Sequence, residues 1–291
     1  MKRILLFVGT NLAILALLAV VASLLGIDRI ATQNGLSLGA LLAFAAVFGF
    51  GGAFISLALS KKMALWTTDA KVITEPRTDT EMWLVATVQR LARQAEIGTP
   101  DVAIYPGQEL NAFATGARRD RALVAVSAGL LQGMRRDEVE AVLAHEVSHV
   151  ANGDMVTMTL LQGVLNTFVI AAARALAWVV SRSSDRAESF SPVVYFVTSI
   201  AAQIAFGLLA SLVVMAFSRH REFRADAGAA QLIGAPPMVA ALRRLSGDTE
   251  EVELPQAIRA FGIRGGGRFM KLFASHPPIE ARIDALQRRA A

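Results

Sequence analysis

The chain has 291 residues and a formal net charge of +5; 54% of its residues are hydrophobic, 18% are charged, and its mean hydropathy is +0.47. This composition excludes a disordered chain and an ordinary soluble enzyme, in which about 25% of residues are charged, and is typical of a protein that lies partly in lipid. Because the chain has no cysteine and four histidines, disulfides and thiolate chemistry are excluded, and any metal must be bound by His, Asp or Glu.

Two long uncharged segments come first in the chain. Residues 4–26 carry no charge, and residues 36–59 are the apolar part of the next uncharged run. A helix that crosses a bilayer needs about 20 residues, so residues 1–60 are predicted to form a transmembrane helical hairpin. Lys2 and Arg3 also suit a signal peptide, but the first apolar run exceeds the ~7–15 residues of a signal core. We therefore expect an anchor.

The polar segment after this hairpin, residues 61–154, begins with two lysines. Because cytoplasmic loops are enriched in Lys and Arg, we predict that this segment faces the cytoplasm. Its spacing of apolar residues predicts a helix over 80–96, and residues 102–105, 111–115 and 122–127 are strand candidates for a small antiparallel sheet. Acidic residues outnumber basic ones here, which is not the pattern of a nucleic-acid-binding protein.

A capped amphipathic helix is predicted over residues 137–151. Asp137 suits the N-cap, with Glu140 three residues later as its capping-box partner. Asn152 and Gly153 suit the end of the helix, since Asn and Gly tolerate the left-handed conformation found there.

This helix carries the segment His-Glu-Val-Ser-His. His145 and His149 are four residues apart, so they project within about 40° of each other and both imidazoles can reach one metal ion. Glu146 is rotated by about 100°, which suits a carboxylate that lies beside a metal-bound water. Two imidazoles and one carboxylate suit zinc with an open fourth position. The alternative is a pair of ordinary helix histidines with a solvated glutamate.

Residues 155–218 contain two further apolar segments. An uncharged run of 19 residues, 155–173, ends at Arg174, and residues 192–217 form the second segment. We predict a second transmembrane pair and therefore four crossings. Because an arginine within a span is costly, a buried or interfacial hairpin is the alternative.

The predicted metal site needs a third ligand, and candidates follow the last apolar segment. Glu222 and Asp226 are four residues apart on one helix face. This spacing suits Glu222 on the metal and Asp226 hydrogen-bonded to the far nitrogen of a ligand histidine. His220 is the rival ligand. A solvated charge run paired with Arg221 and Arg224 is the alternative to any metal role.

Four segments, residues 145–149, 151–154, 221–226 and 275–278, resemble those of the HtpX family. These proteins are bacterial membrane-integrated zinc metalloproteases related to CAAX prenyl proteases, and the similarity covers nearly the whole chain. The resemblance implies a mainly α (α+β) fold with four transmembrane helices and a gluzincin-like zinc metallopeptidase domain. It also implies that this domain lies on the cytoplasmic face of the inner membrane.

Under the same resemblance, residues 61–154 and 219–291 form the two parts of the metallopeptidase domain, and one zinc ion binds per chain. His145, His149 and Glu222 are then the zinc ligands. Glu146 is the catalytic carboxylate, and Asp226 orients a ligand histidine.

Three further residues are candidates for catalysis or substrate binding. The resemblance places His276 near the site, where it suits a donor to the transition-state oxyanion; the alternative is a structural role at the start of the last helix. Asn111 and Phe113 lie in a strand candidate that could bind a peptide at the sheet edge. The alternative for Asn111 is an ordinary residue beside a turn.

The resemblance also implies a function in proteolytic quality control under stress, in which zinc-activated water cleaves misfolded or damaged membrane proteins. The partners are then polypeptide substrates and the lipid bilayer, and the sequence does not determine an oligomeric state. A transporter with a regulatory zinc site would have more polar groups within its spans. A non-catalytic zinc-binding scaffold gives no reason for Glu146 to lie between the two histidines.

Overall fold

The structure is a computed structural model, and it describes residues 20, 31–32, 35–182, 191–247 and 276–290. The chain divides into two compact units. The apolar unit is drawn from Met1–Leu59 and Thr157–Val214, and the polar unit from Ser60–Val156 and Met215–Ala291. Each unit is therefore built from two separate stretches of sequence.

The described helices and strands are short in the polar unit and long in the apolar segments. In chain order they are β1 (Ala31–Thr32), β2 (Gly35–Leu36), α1 (Leu38–Thr68), β3 (Lys71–Val72), α2 (Asp79–Gln94), β4 (Asp101–Tyr105), β5 (Ala112–Thr115), β6 (Leu123–Ser127), α3 (Ala128–Gly133), α4 (Arg136–Asn152), α5 (Asp154–Arg182), α6 (Pro192–Ile233), α7 (Ala235–Gly247) and α8 (Ile279–Ala290).

Three of the described helices, α1, α5 and α6, are long and apolar enough to cross a membrane. They correspond to the second, third and fourth predicted spans, whereas the first predicted span, residues 4–26, lies outside the described residues. Helix α6 continues well past residue 217, where the last apolar segment was predicted to end. It ends only at Ile233, where Gly234 adopts a φ of 87°.

Close packing within the apolar unit depends on glycine. A Cβ atom on Gly49 of α1 would lie 2.2 Å from Oγ1 of Thr167, and one on Gly163 of α5 would lie 2.6 Å from the ring of Phe50. Both distances are far below van der Waals contact. The absence of side chains at these positions therefore allows the backbones of α1 and α5 to approach closely, as is common between membrane helices.

The sheet of the polar unit has the strand order β3-β4-β6-β5. β3 pairs with β4 and β5 pairs with β6 in antiparallel fashion, but β4 and β6 are parallel, with Val102 opposite Val124. The prediction of an antiparallel sheet was wrong for this central pair. After β4 the chain first forms the edge strand β5. It then turns back and places β6 between β4 and β5.

One face of this sheet packs against helices in a continuous core. Helix α2 begins at Asp79 with Thr78 as its N-cap, and Thr78 and Glu81 form a capping box. The apolar side of α2 and that of α4 are buried in the same core. The core residues shared by these elements and the last helices include Leu84, Val88, Leu91, Val124, Val126, Val139, Leu143, Val147, Met238, Leu242 and Leu286. This packing leaves α4 almost fully enclosed.

Helix α4 contains the predicted helix 137–151 and begins slightly earlier. Its N-cap is Arg135, whose backbone N–H donates to Oε2 of Glu138 at 2.9 Å. The predicted N-cap at Asp137 was wrong, because the helix begins at Arg136 and the carboxylate of Glu138 accepts the hydrogen bond of the N-cap Arg135. The predicted C-terminus is confirmed, since Gly153 adopts the left-handed conformation with a φ of 68°.

Candidate metal centre

Helices α4 and α6 bring three potential metal ligands together. His145 and His149 lie one turn apart on α4, and Glu222 lies on α6. The two histidines are each 7% exposed and Glu222 is 2% exposed. One ligand atom from each residue lies within 4.8 Å of those of the other two. Such burial of two imidazoles and a carboxylate at mutual contact is costly unless they are paired or bind a metal.

The separations within this cluster match a tetrahedral zinc site. The two Nε2 atoms are 3.1 Å apart. Glu222 places Oε1 3.3 Å from Nε2 of His149 and Oε2 3.5 Å from Nε2 of His145. Zinc–ligand bonds of about 2.0–2.1 Å at tetrahedral angles require ligand atoms about 3.3 Å apart. The donor set and its spacing therefore fit zinc without rearrangement of the backbone.

A separate carboxylate binds the far nitrogen of each histidine. Nδ1 of His145 is 3.0 Å from Oδ1 of Asp226, and Nδ1 of His149 is 2.6 Å from Oδ2 of Asp154. Both carboxylates are almost fully buried. Because a carboxylate accepts the Nδ1 proton, each Nε2 is left with its lone pair directed at the cluster, as in other metal sites.

Arginines hold these two carboxylates in turn. The buried Arg282 of α8 donates from Nε and Nη2 to the two oxygens of Asp226, at 2.8 and 2.6 Å. Nη2 of Arg224 lies 3.4 Å from Oδ1 of Asp154. A bidentate arginine–carboxylate pair has a fixed geometry, so Arg282 restrains the carboxylate that orients His145.

The electrostatics of the cluster favour positive charge. Burial lowers the pKa of His145, but its hydrogen bonds to Asp226 and Glu222 outweigh burial and raise it. For His149, burial is likewise outweighed by Asp154 and Glu222, which raise the pKa to about 9. The carboxylates therefore create a pocket that stabilises a proton or a cation on the imidazoles.

The two residues predicted to act in catalysis lie beside this cluster. Glu146 follows His145 on α4 and is half-buried, and its charge contributes to the raised pKa of His149. His276, whose side chain is 65% exposed, lies with Nδ1 2.8 Å from Oε2 of Glu222. The structure thus brings both side chains to the same three-ligand cluster, with His276 on its open side.

The two predicted substrate-binding residues lie at and beside the edge strand β5. Asn111 is exposed, and its backbone carbonyl accepts a hydrogen bond of 2.9 Å from the N–H of Ser127. Phe113 packs against Tyr105, with ring centroids 5.7 Å apart, in the cluster that excludes α4. The side chain of Phe113 therefore lies away from α4. Because β5 is an edge strand, the part of Phe113 that a peptide could pair with is its backbone.

Sequence reasoning missed Asp154 and Arg282. Asp154 lies five residues after His149 and directly after the helix-ending Gly153, which is the one signal that could have identified it. Arg282 gave no such signal, because a basic residue in a short amphipathic helix usually lies in solvent. His220, the rival ligand, is exposed and is not part of the three-ligand cluster.

Comparisons with known proteins agree on one family. The family model of peptidase family M48 matches residues 78–290. The Protease HtpX homolog of Janthinobacterium sp. (strain Marseille) is 57% identical over 289 residues, covering 99% of both chains. The Protease HtpX homolog of Nitrosomonas eutropha is 58% identical over 290 residues, again covering 99% of each. The HtpX resemblance is thus confirmed.

A solved structure has the same fold. The crystal structure of S. mikatae Ste24p superposes with a TM-score of 0.65 at 18% identity, and the match covers 98% of this chain and 64% of that one. With three membrane-length helices among its described residues, a buried His-His-Glu cluster and a match over most of its length, the chain belongs to peptidase family M48 and is a membrane-integrated metalloprotease.

Proposed function

We propose that the chain is a zinc-dependent endopeptidase of the bacterial inner membrane that cleaves misfolded or damaged membrane proteins from the cytoplasmic side. The observation that carries the proposal is the spacing of the His145, His149 and Glu222 ligand atoms at 3.1–3.5 Å, with the far nitrogen of each imidazole bound to a carboxylate. A site of this kind suits a single zinc ion per chain. The quality-control role rests on the HtpX resemblance.

Each side chain has a distinct part in peptide hydrolysis. A zinc ion held by His145, His149 and Glu222 would supply a Lewis acid able to polarise the scissile carbonyl and to make water acidic enough to attack near neutral pH. Glu146 accepts the proton of the attacking water and delivers it to the leaving amine. Asp226 and Asp154 keep the imidazoles in the tautomer that leaves Nε2 free to bind metal.

His276 and the edge strand act on the substrate. We assign to His276 a hydrogen bond to the oxyanion that develops on the scissile carbonyl, a role that its exposure beside Glu222 supports. We assign to Asn111 and to the backbone of Phe113 the binding of the peptide as an additional strand. The lack of a further strand beside β5 within the described sheet supports this assignment.

The first test replaces Glu146 with glutamine in the purified full-length protein. Because glutamine cannot accept the proton, cleavage of casein and of a membrane-protein substrate should fall by about 10²–10⁴-fold, while one zinc per chain is retained. Glu140→Gln on the same helix is the matched control. It should leave kcat within about twofold of the parent, because Glu140 pairs with Arg90 where both side chains are partly exposed and such pairs contribute little.

The same measurements separate the alternatives. A protein with bound zinc and no cleavage in the parent would support a scaffold or a transporter. Equal cleavage by the Glu146→Gln variant and the parent would remove Glu146 as the base. A protein that cleaves substrate but contains no zinc after metal-free purification would overturn the assignment of zinc.

The orientation is tested separately with reporter fusions within residues 183–190 and after residue 62. Four crossings with cytoplasmic polar segments require a periplasmic signal for the first position and a cytoplasmic signal for the second. The reverse pattern would contradict the proposed location of the catalytic unit, and a cytoplasmic signal at both positions would contradict four crossings.

A further inference from the structure

The turn between β5 and β6 carries an exposed concentration of positive charge. Arg118, Arg119 and Arg121 lie within four residues of one another in and before a short 3₁₀ helix, and all three are exposed. Nothing in the proposed proteolytic chemistry uses them. Within the part of the chain that the structure describes, none of these three guanidinium groups forms a salt bridge.

The one acidic residue of this turn is directed elsewhere. Oδ1 of Asp120 accepts a hydrogen bond of 3.1 Å from the backbone N–H of Gly98. A Cβ atom on Gly98 would lie 2.6 Å from Cα of Asp120, so the turn is held tightly against the loop that precedes β4. The arginines are therefore presented on a fixed support, and three arginines against one aspartate leave the turn with a net charge of +2.

The position of Arg119 relates this turn to the start of a membrane helix. Its Nη2 lies 3.1 Å from where a Cβ atom of Gly153 would be. Gly153 is followed by Asp154, the first residue of α5. The uncharged run of 19 residues begins at the next position and is about 28 Å long as a helix, which matches the hydrocarbon thickness of a bilayer. Arg119 therefore lies beside the residues with which α5 begins, next to the start of its membrane-length uncharged run.

A fourth arginine reaches the same place from α6. Nη2 of Arg224 lies 3.4 Å from the backbone carbonyl of Asn152, and half of its side chain is exposed. We refer to Arg118, Arg119, Arg121 and Arg224 as the arginine surface. The carboxylate of Asp154, which Arg224 contacts, is buried and bound to His149. Four arginines and the exposed Asp120 therefore leave this surface with a net positive charge.

We propose that the arginine surface binds the anionic headgroups of phospholipids in the membrane that α5 crosses. Its position beside the start of the uncharged run favours lipid phosphate over a soluble ligand, and its excess of positive charge favours anionic over zwitterionic headgroups. Arg118, Arg119 and Arg121 project from the turn that follows β5. Lipid binding would therefore hold the peptide-binding edge of the sheet close to the bilayer, where membrane-protein substrates emerge.

The test measures hydrogen exchange of the full-length protein in lipid nanodiscs. Nanodiscs of phosphatidylcholine alone are compared with nanodiscs that also contain phosphatidylglycerol, at equal protein and salt. We expect the amides of residues 116–122 to exchange at least about fivefold more slowly with the anionic lipid, and high salt to remove the difference, because each arginine near such a surface contributes about fivefold. Equal exchange in the two lipids would overturn the proposal.

A charge-matched pair of variants isolates the arginine surface. The R118Q/R119Q/R121Q variant should lose the lipid-dependent protection while it keeps one zinc per chain. The control R77Q/R93Q/R243Q removes three exposed arginines elsewhere in the polar unit and should retain the protection. If both variants lose it equally, net charge rather than this surface is responsible, and the proposal fails.

Two further arms identify the ligand. Inorganic phosphate added to phosphatidylcholine nanodiscs should give no protection, and protection by phosphate alone would assign the surface to a soluble anion. In detergent without lipid, the triple variant and the parent should have the same KM for acidic and neutral peptides. A selective rise in KM for acidic peptides would assign the arginines to substrate recognition instead. Neither arm depends on the role of Glu146.

Discussion

The apolar and polar units differ in the exposure of their large hydrophobic side chains. In the apolar unit Phe168 and Val193 are 67% and 73% exposed, whereas in the polar unit Leu84 and Leu143 are fully buried. Conversely, the described part of the polar unit buries ionisable side chains that each have a bonded partner, among them His145, His149, Asp154, Glu222, Asp226 and Arg282. The hydrophobic side chains of the apolar unit are thus left for contact with lipid, whereas those of the polar unit form a core that encloses the paired charges.

The largest expected effect would break the charged interior of the polar unit. Replacing Glu222 with alanine removes one of the three proposed metal ligands and leaves two imidazoles and Arg282 without their shared carboxylate. We expect bound zinc to fall from one per chain to near zero, together with all cleavage. Elemental analysis of the purified protein measures this loss. Glu280→Ala, at an exposed position on α8, should bind a full equivalent.

A smaller effect is expected from the carboxylate that sequence reasoning missed. Asp154→Asn keeps the size of the side chain but weakens the charged hydrogen bond to Nδ1 of His149. Zinc affinity should fall about 10–100-fold, as measured by competition with a chromogenic chelator. Asp284→Asn, exposed on α8, is the control. An unchanged affinity for the Asp154 variant would mean that the hydrogen bond does not orient His149.

The apolar unit offers a matched pair of glycines on one helix. Gly49→Ala places a methyl group against Thr167 and should destabilise the packing of α1 on α5 by about 1–3 kcal/mol, seen as a lower thermal midpoint in detergent. A Cβ atom on Gly52 would meet no other atom within 4 Å, so Gly52→Ala should be neutral or stabilising by up to about 1 kcal/mol. A fall of equal size for both would contradict the close contact.

The smallest effect is expected where charge lies at the surface of the polar unit. Arg90 of α2 and Glu140 of α4 form an ion pair in which both side chains are partly exposed. Because such pairs contribute little in water, Arg90→Gln should lower stability by about 1 kcal/mol at most. A thermal unfolding curve at low and high salt measures it. A larger loss would show that this pair belongs with the enclosed charges and not with the surface.

The sequence allowed prediction of features that depend on spacing along one element. The membrane segments follow from runs of uncharged residues, and the pairing of His145 with His149 follows from helical periodicity and the chemistry of zinc. The helix that carries them and the strand positions follow for the same reason, whereas the choice of Glu222 over His220 rested on the family resemblance. Each of these features is set by residues that are neighbours in the chain, so its signal is local.

Features set by long-range packing could not be predicted. The parallel pairing of β4 and β6 depends on which side of β6 the hairpin with β5 occupies, and no short segment encodes that choice. Arg282 reaches Asp226 across 56 positions of sequence, and its burial depends on how α8 packs on α7. Asp154 could have been predicted from the sequence, because it directly follows Gly153, the residue that ends α4.

The length of helix α6 joins two parts of the sequence that have different compositions. It runs for 42 residues, about 63 Å, and neither glycine nor proline interrupts it between its apolar part and Glu222. The same uninterrupted helix therefore carries both an apolar segment long enough to cross a membrane and the carboxylate of Glu222.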